Sequence, residues 1–125
     1  MGRYYTGDID GKWWFGVQSS ITPERFGSEP SYYTYYINKE DVEKTMKDII
    51  EGLGDKIKMF EKFFKENNGY TDERLIEFFR KKYPSYDESD LSKDLSEYAD
   101  YTFGDECLQY YKDHKEDYLC VQSEL

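Results

Sequence analysis

The sequence has only one histidine, His114, and two cysteines, Cys107 and Cys120, among its 125 residues. A single histidine excludes a metal site built on several histidines and the HExxH motif of zinc proteases. The cysteines form neither a CxxC motif nor a zinc-type group, so we expect buried thiols in a reducing compartment. Cys107 and His114 are not expected to act as a nucleophilic pair, because their spacing places them about two turns apart on a helix.

Other catalytic and targeting signatures are also missing. No Gly-rich phosphate loop joins a strand to a helix, and the GxSxG motif of serine hydrolases does not occur. The segment Asp8-Ile9-Asp10-Gly11 is interpreted as a hairpin turn, because the later ligands of a calcium loop are absent. No stretch approaches the roughly 18 apolar residues of a membrane span, and the first residues carry neither a signal core nor a myristoylation pattern. We therefore expect a non-enzymatic cytoplasmic protein, without metal, cofactor or membrane contact.

Aromatic residues are abundant, with 14 Tyr, 8 Phe and 2 Trp. Hydrophobic residues make up only 38% of the chain and charged residues 35%. Each aromatic side chain buries roughly 150–250 Å², so a compact core is still expected. A chain of 125 residues is long enough for one such core and too short for two. Residues 1–125 are predicted to form a single domain.

The first third of the chain has the features of β-structure. Strands over residues 3–6 and 12–18 flank the Asp-Gly turn and form a hairpin, and a third strand covers residues 32–37. Alternation along the second strand indicates one buried face, which is expected to pack on an apolar helix stripe at Ile49, Leu53 and Ile57. The residues of that buried face are Trp13, Phe15 and Val17.

From Asn38 onward the apolar spacing is that of helices. Asn38 is the predicted N-cap of a helical segment that reaches Glu66, either continuous or kinked at Gly52 and Gly54. The order of elements predicts an α+β fold, in which an antiparallel sheet of about four strands, three N-terminal and one C-terminal, packs on about four helices. Three later helices are predicted to begin at Thr71, at a capping box formed by Ser85 and Glu88, and at Gly104. A closing strand is predicted over residues 118–122.

The net charge of −10 is concentrated in one part of the chain. Residues 83–125 hold 12 acidic and 3 basic residues, whereas residues 38–82 hold 11 of each. On the third predicted helix, carboxylates recur at helical spacing about 100° from the apolar face, which predicts an exposed acidic ridge. With its extension, the acidic ridge comprises Asp87, Glu88, Asp90, Asp94, Glu97, Asp100, Asp105 and Glu106.

This uneven distribution of charge costs stability, because like charges repel one another. It is not needed for solubility, since residues 38–82 also carry many charged side chains but no net charge. We therefore interpret the acidic ridge as the binding surface for a protein with a basic nucleic-acid-binding groove. A solvated helix face without a partner is the alternative interpretation. Direct binding of nucleic acid is not expected, because the net charge opposes it.

Tyrosines occur in four adjacent pairs. In a strand, neighbouring side chains point to opposite faces, so each pair is expected to place one ring inside and one outside. Exposed tyrosines are good contact residues, which makes a homodimer or a self-associating assembly protein the second functional hypothesis. A small hydrolase or ligand-binding protein with an unidentified carboxylate site is the third. The pairs are Tyr4-Tyr5, Tyr32-Tyr33, Tyr35-Tyr36 and Tyr110-Tyr111.

The block GRYYTGDIDGKWWFGVQSS, residues 2–20, resembles the start of a group of small uncharacterised proteins from phages and large DNA viruses. The resemblance brings no catalytic residue with it. Together with the small size and the acidic charge of the chain, it implies a phage-type inhibitor in the host-cell cytoplasm that acts on a host defence protein that handles nucleic acid, similar to anti-CRISPR proteins that occupy a DNA-binding channel as partial DNA mimics.

Overall fold

A computed structural model describes residues 3–14, 17–18, 21–27, 30–31 and 34–123. Within these residues the chain forms five strands and five helices, so the predicted α+β fold is confirmed. In chain order the elements are β1 (Arg3–Gly7), β2 (Gly11–Trp13), α1 (Thr22–Arg25), β3 (Pro30–Ser31), β4 (Thr34–Asn38), α2 (Lys39–Leu53), α3 (Lys56–Glu66), α4 (Asp72–Arg80), α5 (Glu88–His114) and β5 (Tyr118–Ser123).

The strands form one antiparallel sheet in the order β2-β1-β5-β4-β3. The last strand, β5, lies in the middle and pairs with β1 on one side and β4 on the other. Its register places Ser123 opposite Tyr5 and Leu119 opposite Ile37. The short β3 at one edge and α1 both begin between the predicted second and third strands, where no element was predicted.

One face of the sheet packs on the helices and the other is open. Tyr5 and Tyr35 are buried on the inner face, whereas their neighbours Tyr4 and Tyr36 are exposed on the outer face. The predicted division of these two tyrosine pairs is therefore confirmed. Tyr32-Tyr33 lies outside the described residues, and Tyr110-Tyr111 lies on α5, where the Tyr111 hydroxyl donates to the Ile37 carbonyl oxygen at 2.7 Å.

The predicted hairpin is present, but its second strand is shorter than expected. β2 ends at Trp13, and the backbone N–H groups of Val17 and Gln18 both donate to the Trp14 carbonyl oxygen, at 3.0 and 2.8 Å. Because of these contacts, Trp13 and Val17 do not lie on one continuous strand, and Phe15 lies outside the described residues. Trp13 itself is buried, with its ring 5.1 Å from that of Phe103 on α5.

Two of the predicted helix starts are confirmed. Asn38 Oδ1 accepts hydrogen bonds from the backbone N–H groups of Glu40 and Asp41, and Thr71 Oγ1 accepts one from that of Arg74. The segment after Asn38 is two helices, because Gly54 adopts φ +55° between α2 and α3. That conformation is costly for residues with a side chain, so the glycine marks the break.

The last helical region differs from the prediction in two ways. Asp87, not Ser85, caps α5, and the helix then runs without interruption for 27 residues to His114. Gly104 therefore lies inside one helix and does not start another. A Cβ atom at Gly104 would lie 2.3 Å from Met46 Sδ, so glycine at this position makes room for the Met46 side chain of α2 against α5.

Candidate functional site

The amino-terminal turn of α5 carries the first three residues of the acidic ridge. Asp87 Oδ1 accepts a hydrogen bond from the Asp90 N–H at 3.0 Å, and Asp90 Oδ2 accepts one from the Asp87 N–H at 3.1 Å. Both residues and Glu88 are exposed. The positive end of the helix dipole stabilises negative charge at this position, so the turn holds three surface carboxylates at little cost in stability.

Asp94 lies inside the protein and is only 7% exposed. Its Oδ2 accepts a hydrogen bond from the Tyr86 hydroxyl at 2.8 Å and lies 3.0 Å from Lys56 Nζ. A buried carboxylate needs such partners, since an unpaired charge in a core is strongly unfavourable. Asp94 therefore holds α3 and the segment before α5 together and does not contribute to an exposed surface.

Asp100 is also buried, at 9% exposure, and belongs to a network around Arg25. Arg25 Nη1 lies 2.6 Å from Asp100 Oδ2, and Arg25 Nη2 lies 2.7 Å from Glu97 Oε2. Asp100 Oδ1 accepts further hydrogen bonds from Gln18 Nε2 at 3.0 Å and Thr22 Oγ1 at 3.4 Å. Burial alone would lower the pKa of Arg25, but hydrogen bonds and charge from the two carboxylates raise it above its usual value. These contacts fix α1 on α5.

Glu106 is half-buried, and its Oε2 accepts a hydrogen bond from the Tyr5 hydroxyl at 2.8 Å. Burial raises the pKa of Glu106, and the charge of Asp10 raises it further, against a lowering effect of the Tyr5 hydrogen bond. Asp105, next to it on α5, is exposed. The carboxyl-terminal part of the acidic ridge thus has one surface carboxylate and one that anchors β1.

The prediction of a continuous exposed ridge is therefore wrong at Asp94 and Asp100. Helical spacing does not reveal that α5 is covered on several sides, with α1, α2 and α4 all in contact with it. Binding of a partner by the other six residues stays a prediction. Of these, Asp87, Glu88, Asp90 and Asp105 are exposed, and Glu97 and Glu106 are partly exposed.

The exposed end of the ridge continues onto α4. A cleft of about 590 Å³ separates the amino-terminal turn of α5 from α4, and we call it the acidic cleft. Among the described residues that line it, Arg80 is the one basic residue, and the Arg80 Nε donates to the Tyr86 carbonyl oxygen at 2.7 Å. Four carboxylates therefore face this opening with a single guanidinium. The residues lining it are Glu73, Ile76, Glu77, Arg80, Asp87, Glu88 and Ser89.

The carboxylates of α4 contribute to two neighbouring clefts. Glu73 and Glu77 line the acidic cleft beside Arg80, and Glu77 also lines a neighbouring cleft together with Arg74, Lys81 and Lys62 of α3. Glu73 and Glu77 were not predicted as part of the site, because the charge over residues 38–82 sums to zero. Their four-residue spacing was the available signal, since residues four apart share one helix face.

Among the described residues, no three or more His, Cys, Asp or Glu side chains are grouped so as to hold a metal ion. Cys107 is buried, which raises the pKa of its thiol, whereas His114 is exposed and stacks on Tyr110 at 4.3 Å. These two residues are therefore not placed as a nucleophile and its base.

No protein-family model, curated protein or solved structure matches this chain. In the described part of the chain, none of the helices combines the length and apolar character needed to cross a bilayer.

Proposed function

We propose that the chain is a non-enzymatic, phage-type inhibitor that binds the basic nucleic-acid groove of a host defence protein through the acidic cleft. In this proposal it acts like an anti-CRISPR protein and partial DNA mimic, and its place of action is the cytoplasm of the host cell. The observation that carries the proposal is the convergence of Glu73, Glu77, Asp87 and Glu88 on one opening.

Electrostatics favours a basic protein partner for such a surface. A groove that binds nucleic acid presents Lys and Arg side chains to phosphates, and carboxylates on a helix offer the same sign of charge at regular intervals. Glu73 and Glu77 are one turn apart, about 6 Å along the axis of α4. The net charge of −9 over residues 83–125 adds attraction at long range, which speeds association at low salt.

A triple charge reversal tests the proposal. Glu73→Lys, Glu77→Lys and Glu88→Lys change exposed positions only, whereas reversal of Asp90 or Asp94 would also break the helix cap or a buried ion pair. The immobilised wild-type chain should retain from a host lysate a protein that itself binds DNA. Added duplex DNA or higher salt should release that protein, and the triple variant should fail to retain it.

The matched control reverses three exposed glutamates of α2, Glu40, Glu43 and Glu51, with the same change in net charge. It should retain the protein nearly as well as the wild type does. Equal loss in both variants, or retention that is indifferent to DNA and salt, would reject the acidic cleft as the interface.

Self-association through the open sheet face is the second candidate function. Tyr4, Tyr36 and Tyr118 are 50%, 61% and 60% exposed on that face, which is a large aromatic surface for a small protein. Sedimentation or light scattering at high micromolar concentration measures it directly. A mass of 15.1 kDa would show a monomer and reject this candidate, while a dimer that Tyr36→Glu dissociates would support it.

A further inference from the structure

Four aromatic rings line a second opening, of about 480 Å³, which we call the aromatic cleft. Trp14 meets Phe64 at 5.8 Å and Tyr98 at 6.1 Å, with the ring planes near perpendicular in both pairs. Phe64 in turn is nearly parallel to Tyr98 and perpendicular to Tyr70. Rings at these angles form a corner, which brings the faces of several rings within reach of one bound group.

The protein covers other aromatic rings with its own cations but not these. Lys56 Nζ lies 5.4 Å from the centre of the Tyr83 ring, and Arg74 and Lys81 lie over Phe63 and Phe78 in the same way. Among the described residues, no such contact involves a ring of the aromatic cleft. Of these rings, Trp14, Phe64 and Tyr70 are partly exposed and can meet a cation from outside with their negatively polarised faces, whereas Tyr98 is buried and stacked on Phe60.

Carboxylates lie near the aromatic cleft, although none is among the described residues that line it, and Arg74 donates to Asn67 Oδ1 at its edge. Burial, with the charges of Glu61, Tyr101 and Asp105, raises the pKa of Tyr98 to about 12. Burial and the charge of Asp72 likewise raise the pKa of Tyr70. A cation is therefore favoured at this opening over an anion or a neutral group of the same shape.

The polar edge of the aromatic cleft presents an acceptor. The Thr102 hydroxyl donates its hydrogen to the Ala99 carbonyl oxygen at 2.7 Å, so the hydroxyl oxygen offers lone pairs to a ligand. A guanidinium group has five N–H donors and stacks well on aromatic faces, which makes it a better match than an ammonium group.

The aromatic cleft and the acidic cleft each share a lining residue with an intermediate cleft. An intermediate cleft of about 260 Å³ is lined by both Glu88, which belongs to the acidic cleft, and Tyr70, which belongs to the aromatic cleft. Along α5 this path runs from Glu88 to Thr102, about 21 Å along the helix axis. A basic protein bound at one cleft therefore reaches the other.

We propose that the aromatic cleft binds an arginine side chain of the basic partner, stacked on the ring faces and hydrogen-bonded to Thr102. The source of the arginine rests on the proposed function, because it is the protein held at the acidic cleft that supplies it. Binding of the guanidinium group itself is a property of the isolated chain and is tested without that partner.

Two blocked tripeptides are the probes, glycine-arginine-glycine and its neutral analogue with citrulline in place of arginine. Titration of the ¹⁵N-labelled chain with the arginine peptide should shift the indole signal of Trp14 and the backbone signals of residues 67–70 and 102. The indole of Trp13 is an internal reference, since it is buried and bonded to Ser123 Oγ. The citrulline peptide should bind at least roughly threefold more weakly, as loss of a cation–π contact predicts.

Variants separate the aromatic cleft from the general acidity of the surface. Tyr70 is 38% exposed, so Tyr70→Leu should keep the fold and weaken arginine binding at least roughly threefold, while Tyr70→Phe should keep both. Tyr36→Leu, on the open sheet face, should leave binding unchanged. If Tyr70→Leu lowers the unfolding temperature markedly, Thr102→Val takes its place and should also weaken arginine binding.

Equal binding of the two peptides, or shifts confined to Asp87, Glu88 and Asp90, would overturn the inference. If the chain does not bind the arginine peptide but the triple variant of the acidic cleft loses lysate capture, this inference fails and the proposed function stands. If the chain binds the arginine peptide but that variant captures normally, the proposed function fails and guanidinium binding at the aromatic cleft stands.

Discussion

Gly104 of α5 lies against Met46 of α2 so closely that a Cβ atom there would be 2.3 Å from the Met46 sulfur. Gly104→Ala should therefore destabilise the protein. Overpacking costs about 1–3 kcal/mol, and the gain in helix propensity returns about 1 kcal/mol. Urea denaturation measures the change. In a Met46→Ala background the same substitution should be neutral or stabilising, and destabilisation of equal size in both backgrounds would contradict the steric explanation.

Gly52, near the end of α2, is the matched comparison. A Cβ atom at Gly52 meets nothing within 4 Å, so Gly52→Ala should stabilise the protein by about 0.5–1 kcal/mol. Opposite signs for Gly52→Ala and Gly104→Ala are expected in the same denaturation experiment. A loss of stability at Gly52 would mean that the α2 terminus needs glycine for another reason.

Asp100 and Glu97 share Arg25 but differ in burial. Removal of one partner from a buried ion pair costs about 3–5 kcal/mol, and since the Arg25 side chain is 35% exposed, we expect about 2–3 kcal/mol for Asp100→Ala. Glu97→Ala removes the more exposed carboxylate and should cost less than about 1 kcal/mol. Thermal and urea unfolding of both variants measure the difference. Similar losses of stability in the two variants would show that the burial of Asp100 does not strengthen its ion pair with Arg25.

Alkaline pH should unfold the protein through its buried tyrosines. Burial and neighbouring carboxylates raise the pKa of both Tyr35 and Tyr98 to about 12, from about 10 for a free phenol. The folded state favours the neutral phenols, so their contribution to stability is complete below pH 10 and is lost as the pH rises to 12. The free energy of unfolding should fall over this range, and less steeply in Tyr98→Phe. An unchanged slope in that variant would contradict the assignment.

The contribution of Glu106 to stability should change with pH in the opposite direction to that of a surface carboxylate paired with a cation. Because burial raises the pKa of Glu106, its contribution to stability is present below the unfolded pKa and declines as the pH rises through the folded value. Glu106→Gln keeps an acceptor for Tyr5 and removes the charge. Relative to the wild type, its stability should therefore increase between pH 4 and pH 7 in urea denaturation. A difference that stays constant with pH would show that the charge of Glu106 is not penalised.

Local chemistry predicted much of the fold. Asn38 and Thr71 cap helices because their side chains satisfy backbone N–H groups within three residues, and alternation in the strands assigns tyrosines to opposite faces. Contacts between distant segments were not predictable in this way. From the sequence, Gly104 indicates a helix break, whereas in the structure it packs against Met46.

The candidate site was predictable only in part, for the same reason. Spacing along α5 identified Asp87, Glu88 and Asp90 as a group, and all three are exposed. Burial of Asp94 depends on Lys56, which lies 38 positions earlier in the chain, and burial of Asp100 depends on Arg25, 75 positions earlier. The spacing of residues within one helix does not indicate partners that are so distant in sequence.

The position of β5 has a consequence for the order in which the molecule assembles. This strand bridges β1 and β4, yet every helix precedes it along the chain. During synthesis the hairpin of β1 and β2 therefore stays apart from β4 until residues 118–123 leave the ribosome. Pairing of strands so far apart in sequence slows folding, because the entropy of closing the loop between β1 and β5 is lost before contacts between the two strands compensate for it. Until then the helices have no completed sheet to pack on, and a nascent chain halted before Tyr118 should remain open to proteases.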